Sequence, residues 1–183
     1  MSVAARVRTI GGLSLAGVLV IATFAWVDSI GGPTAVRERF GATGLVVCVL
    51  VHWILNLTPL GEVVPMAVAN GAMWGVGLGA LVSWLGWMAA SLTQYLVVRR
   101  LGTELDLDVR LGRLPARIRR FPVEHPAFQI GGRALPAVGL HLVNVTSAVR
   151  GVPIRRFLAF AALGQAGPAL AMAAVGAGLV AIF

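Results

Sequence analysis

Two charges stand where apolar sequence surrounds them. Glu62 lies in Thr58-Pro59-Leu60-Gly61-Glu62-Val63-Val64-Pro65, and Arg133 lies in Gly131-Gly132-Arg133-Ala134-Leu135-Pro136. Arg133 is the only charged residue between His125 and Arg150. Each charge sits among helix breakers: Pro59, Gly61 and Pro65 in the first case, Gly132 and Pro136 in the second. A guanidinium stays charged when dehydrated and offers a planar fork that matches two oxygens of a phosphate or carboxylate. The pair therefore allows two chemistries, an internal ion pair that locks the chain or a site for an anionic ligand. A purely structural pair would be replaceable by apolar residues at little cost. His141 and Asn144 follow Arg133 in the same stretch and are further candidates for the site.

The rest of the chain explains why such charges are costly. Its 183 residues are 58% hydrophobic and only 12% charged, with a mean hydropathy of +0.87. A soluble domain carries about 25% charged residues, so long apolar runs with so few charges indicate a polytopic membrane protein. The net charge is +8 and every basic residue is arginine. No nucleic-acid motif accompanies them, and they sit in short links between apolar runs, as the positive-inside rule requires. A nucleic-acid partner is not expected. Cys48 is the single cysteine, so no intramolecular disulfide forms; its apolar run marks it as a small buried hydrophobe.

The apolar runs order the chain. Residues 1–40 comprise an N-terminal transmembrane helix, Ile10–Val27, and a polar link, Asp28–Phe40; a cleaved signal peptide is the rival for the first run. Residues 41–183 form a membrane domain: a broken run at 42–74, a helix at 75–98, an amphipathic segment at 99–126, a second broken run at 127–149 and a helix at 157–183 kinked near Gly167-Pro168. Gly71, Gly75 and Gly79 recur every fourth residue, a small-residue stripe for helix packing. In the amphipathic segment Leu107, Leu111, Leu114, Ile118 and Phe121 recur opposite Arg110, Arg113, Arg117 and Arg120, which suits helices lying on the membrane surface. Glu104, Asp106 and Asp108 read as a solvated helix start and not as a metal site.

Arginine clusters at Arg6/Arg8, Arg99–Arg120 and Arg150–Arg156 mark the cytoplasmic side. Residues 42–74 must then start and end outside, and residues 127–149 must start and end inside. Neither is a simple span. The fold class expected is all-α: an inverted repeat of two opposed re-entrant helical hairpins, each followed by a transmembrane helix, after an N-terminal transmembrane helix. Such repeats bring broken helices to the bilayer midplane, where transporters bind cargo. Glu62 and Arg133 would meet there. His52, Asn56, Asn70, Gln94 and Gln165 are expected to hydrogen-bond between helices. No catalytic triad, Cys/His pair, phosphate loop or metal-ligand spacing appears, so neither enzyme activity, cofactor nor metal is expected.

These motifs resemble the DedA/VTT-domain family of membrane proteins, also called SNARE-associated Golgi proteins. Pro59-Leu-Gly61-Glu62-Val-Val-Pro65…Gly71…Gly75 is similar to that family's first signature. Tyr95-Leu-Val-Val-Arg99-Arg-Leu-Gly102 is similar to the end of its first half, and Arg133-Ala-Leu-Pro136…Asn144…Gly151…Phe157…Gly164 to its second signature. The resemblance covers roughly residues 42–175. It implies two opposed re-entrant hairpins and movement of lipid: phospholipid scrambling in some branches, recycling of undecaprenyl phosphate in bacterial ones. Glu62 and Arg133 match the family's functional acid and arginine. Gly139 stands where the DedA branch carries a second arginine, and no second acid lies between Glu62 and Glu104. The single arginine with Asn144 is closer to the VTT-like branch.

The sequence thus leads to a lipid transporter or scramblase of the bacterial plasma membrane, with membrane lipids as partners and a homo-oligomer possible. Arg133 would take a phosphate headgroup while Glu62 gates or balances the charge. Two other functions stay open: a secondary transporter of a small solute or ion, and a non-transporting scaffold in which Glu62 and Arg133 are fully paired.

Overall fold

The structure, a computed structural model, describes Ala25, Ser29 and residues 31–57, 63–101, 122–134 and 139–182. The expected N-terminal helix, Pro59, Gly61, Glu62, Pro136 and the amphipathic residues 102–121 lie outside this set. The described residues are helical apart from short connections and contain no strand. The helices are α1, Gly32–Leu55; α2, Val63–Leu101; α3, Pro126–Gly131; α4, Gly139–Val149; and α5, Ile154–Ile182, with a 3-10 turn at Gly132–Ala134. Among the described residues three stretches are long and apolar enough to cross a membrane: Ala35–Leu55, Val64–Leu101 and Ile154–Val180. The chain divides into two compact units, Met1–Gly86 with Ala169–Phe183, and Trp87–Pro168.

Residues 32–40, expected as a polar link, are helical. Gly31 takes a left-handed conformation at the N-cap and Pro33 occupies the first turn, where a missing N–H costs nothing. Arg37, Glu38 and Arg39 are good helix formers despite their polarity. The helix breaks instead at Gly41, with φ of 47°. It ends where the Asn56 side chain donates to the His52 carbonyl at 2.8 Å, ahead of Pro59.

The second departure concerns the glycine stripe. Gly75 has φ of 76° and reverses the chain inside α2, so Gly71, Gly75 and Gly79 do not share one helical face. Segment 63–74 folds back on segment 76–86. A Cβ on Gly79 would lie 2.7 Å from the Gly71 Cα. The glycines do serve close packing, but across a turn. Gly71 also meets the backbone of Ala173, and Gly176 meets the carbonyl of Val68, contacts that leave no room for a methyl group.

In the same unit, segment 42–55 packs antiparallel to segment 63–74. A Cβ on Gly44 would reach the Trp74 ring at 2.9 Å, and His52 faces Asn70 at 3.2 Å, so the contacts run in opposite directions along the two segments. In the unit Trp87–Pro168 the second broken run also has two helical arms. Its arms are α3 with the 3-10 turn, and α4. His125 caps α3 by accepting from the Ala127 N–H, and Pro126 fills the first position. α4 closes with Val152 N–H on the Ser147 carbonyl at 3.0 Å and Gly151 N–H on the Ala148 carbonyl at 3.2 Å. That is the Schellman arrangement, and Gly151 has the required left-handed φ of 70°. α5 starts at Ile154, directly after Pro153, and passes through Pro168 as one helix.

The long helices expose apolar side chains. Val46, Ile54, Leu78, Leu81, Leu163 and Val175 are exposed on α1, α2 and α5, whereas Asn70, Ser83, Ser91, Asn144 and Gln165 are buried. This multi-pass membrane protein therefore carries its polar groups inside and presents hydrocarbon to hydrocarbon. Gly71→Ala and Gly176→Ala should each cost about 1–3 kcal/mol through overpacking. Gly178→Ala, where nothing lies within 4 Å of an added Cβ, should cost little. Thermal unfolding in detergent measures all three; equal stability of the Gly71 and Gly178 variants would contradict the close contact.

Candidate functional site

Within the unit Trp87–Pro168, three sequence candidates converge. The two arms of the second broken run lie antiparallel, with Gln129 Nε2 donating to Ser147 Oγ at 2.6 Å and Arg133 Nη1 donating to Asn144 Oδ1 at 2.8 Å. Gly132 makes the approach possible, since a Cβ there would lie 2.8 Å from a Val143 methyl. Gln129 is also tied back to the Val123 carbonyl at 2.7 Å.

Arg133 is 7% exposed. Its stem passes Gly164, where a Cβ would sit 3.1 Å from the arginine Cδ. Its guanidinium carbon lies 5.2 Å from the centroid of the Phe157 ring. Phe157 stacks on Tyr95 with centroids 4.7 Å apart. Tyr95 donates its hydroxyl to the Val152 carbonyl and accepts from Arg99 Nη1, both at 2.6 Å. The aromatic pair fixes the plane of the guanidinium, and a cation over such a face gains about 0.5–2 kcal/mol.

Arg133 Nε and Nη2 have no hydrogen-bond partner among the described residues. These two nitrogens form one edge of the guanidinium, the edge that presents parallel N–H groups to an oxyanion. Among the described residues the ion pair present is Arg156 with Glu124 at 3.3 Å, on the surface. Arg133 is thus held by a neutral acceptor and an aromatic face, and its charge is not cancelled by either.

A polar network continues from Asn144. Its Nδ2 donates to Gln94 Oε1 at 2.8 Å and to Ser91 Oγ at 3.2 Å. Gln165 Nε2 also donates to Ser91 Oγ, at 2.9 Å. Gln94 Nε2 meets His141 Nδ1 at 2.8 Å. Arg133, Asn144 and His141 therefore belong to one hydrogen-bonded set, with Gln94 linking the last two. Gln94 and Gln165 bond between helices as expected. Ser91 was not singled out from the sequence, although Ser91 and Gln94 stand at i, i+3 and so share a helix face. Gly164 and Phe157 were quoted in a motif but assigned no role.

The other unit holds its own buried polar cluster. Asn70 Nδ2 reaches Ser83 Oγ at 3.0 Å and His52 Nδ1 at 3.2 Å, and the Ser83 hydroxyl donates to the Gly79 carbonyl at 2.9 Å. This cluster stitches the arms 42–55 and 63–74 to segment 76–86 and carries no charge.

A family model for the VTT domain matches residues 59–178. No curated protein and no solved structure matches the chain. The match includes Glu62, both arms around Arg133, and Gly164.

The Arg133–Asn144 bond should be measurable by a double-mutant cycle in detergent. Asn144→Leu should destabilise the protein by about 3 kcal/mol, since it leaves a buried cation without its acceptor. The coupling with Arg133→Met should be about 1–3 kcal/mol. A coupling near zero would mean that the two residues do not hold each other.

Proposed function

Because the chain belongs to the VTT-domain family of membrane proteins, which is generally linked to membrane transport, we propose that it moves a phosphate-bearing lipid across the bilayer at the Arg133 site. The single observation that carries this reading is the free edge of Arg133: a buried cation, fastened by Nη1 alone, with Nε and Nη2 unpartnered among the described residues. Two parallel N–H donors on one planar edge fit two oxygens of one phosphate. The amides and hydroxyl of Asn144, Gln94, Ser91 and Gln165 keep the surroundings of the site polar without adding charge. The acyl or prenyl chain stays in the bilayer, against the apolar exterior. Glu62 gates the site or balances its charge when no headgroup is present. A bacterial plasma membrane is the location we propose.

Re-entrance of the two broken runs is part of this proposal. At about 1.5 Å per residue, segments 42–55, 63–74 and 139–149 are each about 16–21 Å long, short of the ~30 Å hydrocarbon core. Arms of that length suit hairpins that turn back within the membrane, with irregular backbone covered by protein.

Two experiments test these points. In a Cys48→Ala background, Arg100→Cys and Arg150→Cys should be labelled from the same side of the membrane in whole cells. Labelling from opposite sides would overturn the paired hairpins. In reconstituted vesicles, Arg133→Lys should keep the fold but slow headgroup flipping at least about tenfold, because lysine keeps the charge and loses the fork. Normal flipping by Arg133→Lys would rule out bidentate recognition. Normal flipping by the Arg133→Leu/Glu62→Leu double variant would remove the site from the mechanism.

A further inference from the structure

The hydrogen bonds that lead from Arg133 to His141 all point the same way, and the direction has a chemical cause. Arginine donates and never accepts. Asn144 must therefore turn its Oδ1 to Arg133, and does so at 2.8 Å. That choice points Nδ2 away, where it donates to Gln94 Oε1 at 2.8 Å. Gln94 accepts there through Oε1 and meets His141 Nδ1 with Nε2 at 2.8 Å. His141 Nδ1 must then accept. An imidazole that accepts at Nδ1 is neutral and carries its proton on Nε2.

We propose that His141 and Gln94 are positioning residues for Arg133, and that protonation of His141 releases the arginine from Asn144. When His141 takes a second proton from water, both ring nitrogens are donors and Nδ1 faces the donor Nε2 of Gln94. The contact is relieved when the Gln94 amide rotates and offers Oε1 to the ring. Gln94 Nε2 then faces Asn144 Nδ2, two donors again, so Asn144 rotates in turn and withdraws Oδ1 from Arg133. Wherever the rotations stop, one donor–donor contact remains between His141 and Arg133. One proton taken up at one end breaks one bond of the relay, and the end state frees Nη1.

Apart from Arg133 and His141, the residues hydrogen-bonded into this relay are uncharged amides and a hydroxyl. α2 contributes Ser91 and Gln94 and α5 contributes Gln165, all uncharged, and the 3-10 turn contributes Arg133 itself. Asn144 also donates to Ser91 Oγ at 3.2 Å, a bond lost if the amide turns. His141 is partly exposed, whereas Asn144 is fully buried and Arg133 nearly so. A partly exposed imidazole coupled through amides to a buried cation is the arrangement that a proton-controlled hold on Arg133 needs.

The relay rests on the reading of Arg133 as the headgroup ligand only for its effect on transport, so two readouts are needed. The first is structural. In the full-length protein in detergent, with histidine rings, Asn/Gln side-chain amides and arginine guanidinium groups labelled with ¹⁵N, His141 should be the Nε2–H tautomer at neutral pH. Comparison with His141→Gln identifies its signals among the three histidines. As pH falls, the Asn144 amide and the Arg133 guanidinium signals should move with the same midpoint as His141, and should not move in His141→Gln. If His141 titrates while Asn144 and Arg133 stay fixed, or if its neutral form is the Nδ1–H tautomer, the relay is wrong.

The second readout is headgroup flipping in vesicles. Glutamine at 141 offers an acceptor to Gln94 at every pH. The wild type should lose about tenfold in rate per pH unit below the midpoint, as one protonation requires, whereas His141→Gln should stay within about twofold over the same range. Identical acid limbs in the two proteins would overturn the coupling to transport. Coupled NMR titrations in a protein that flips no lipid at any pH would uphold the relay and refute the transport reading.

Discussion

A guanidinium can only donate, and one buried away from water must find an acceptor or be expelled. The bond from Arg133 Nη1 to Asn144 Oδ1 meets that condition, and much of its unit follows from it. The acceptor lies on the opposite arm, so the bond sets the register in which α4 lies against α3 and the 3-10 turn. Gly132 lets the arms approach and Gly164 clears the arginine stem. Phe157 supplies the face for the guanidinium and is itself held by Tyr95, whose hydroxyl is anchored on Val152 in the glycine turn after α4.

The two units solve helix packing differently. Hydrocarbon solvent gives apolar side chains no reason to cluster, so membrane helices adhere through close backbone contact and hydrogen bonds. In Met1–Gly86 with Ala169–Phe183, glycine dominates: Gly71 on Ala173, Gly176 on Val68, Gly79 on Gly71, with one compact cluster at Asn70. In Trp87–Pro168, the hydrogen-bonded set around Asn144 does more of the work, joined by the core of Tyr95, Val123, Ala148, Val152 and Phe157. Glycine contacts give tight packing without polarity. The amide network holds helices together through polar groups that satisfy one another.

Much of this was legible in the residues, and the misreadings have physical causes. The breaks at Pro59–Pro65 and Gly132–Pro136 were visible because proline and glycine act locally. Helices flank both breaks, although Glu62, Pro59, Gly61 and Pro136 lie outside the described residues. Gly75 was misassigned because a glycine at four-residue spacing suits a packing stripe and a left-handed reversal equally; only the tertiary contact of Gly71 with Gly79 decides. Residues 32–40 looked like a link because they are polar, yet polarity does not oppose a helix that begins on Pro33. Arg133, His141 and Asn144 stood out as polar groups in apolar sequence. Ser91 did not, because a serine beside Ala89 and Ala90 looks like another small packing residue. Gly164 matters only for what passes it.

The neutrality of Asn144 bears on the transport role proposed for this site. Had the acceptor been a carboxylate, the pair would cancel the charge, and an incoming phosphate would have to displace a bidentate partner in a medium where that exchange is costly. Had there been no acceptor, the long side chain would snorkel toward the interface and lose its place. An amide oxygen lies between these extremes. It is a full hydrogen-bond acceptor, so it fixes Nη1, but it carries no net charge, so the field of the cation remains for a ligand. The Phe157 face acts likewise, attracting through its quadrupole without neutralising. Among the described residues the result is an arginine fastened at Nη1 by a neutral acceptor, and in the function proposed above its Nε/Nη2 edge is where an anion would complete it.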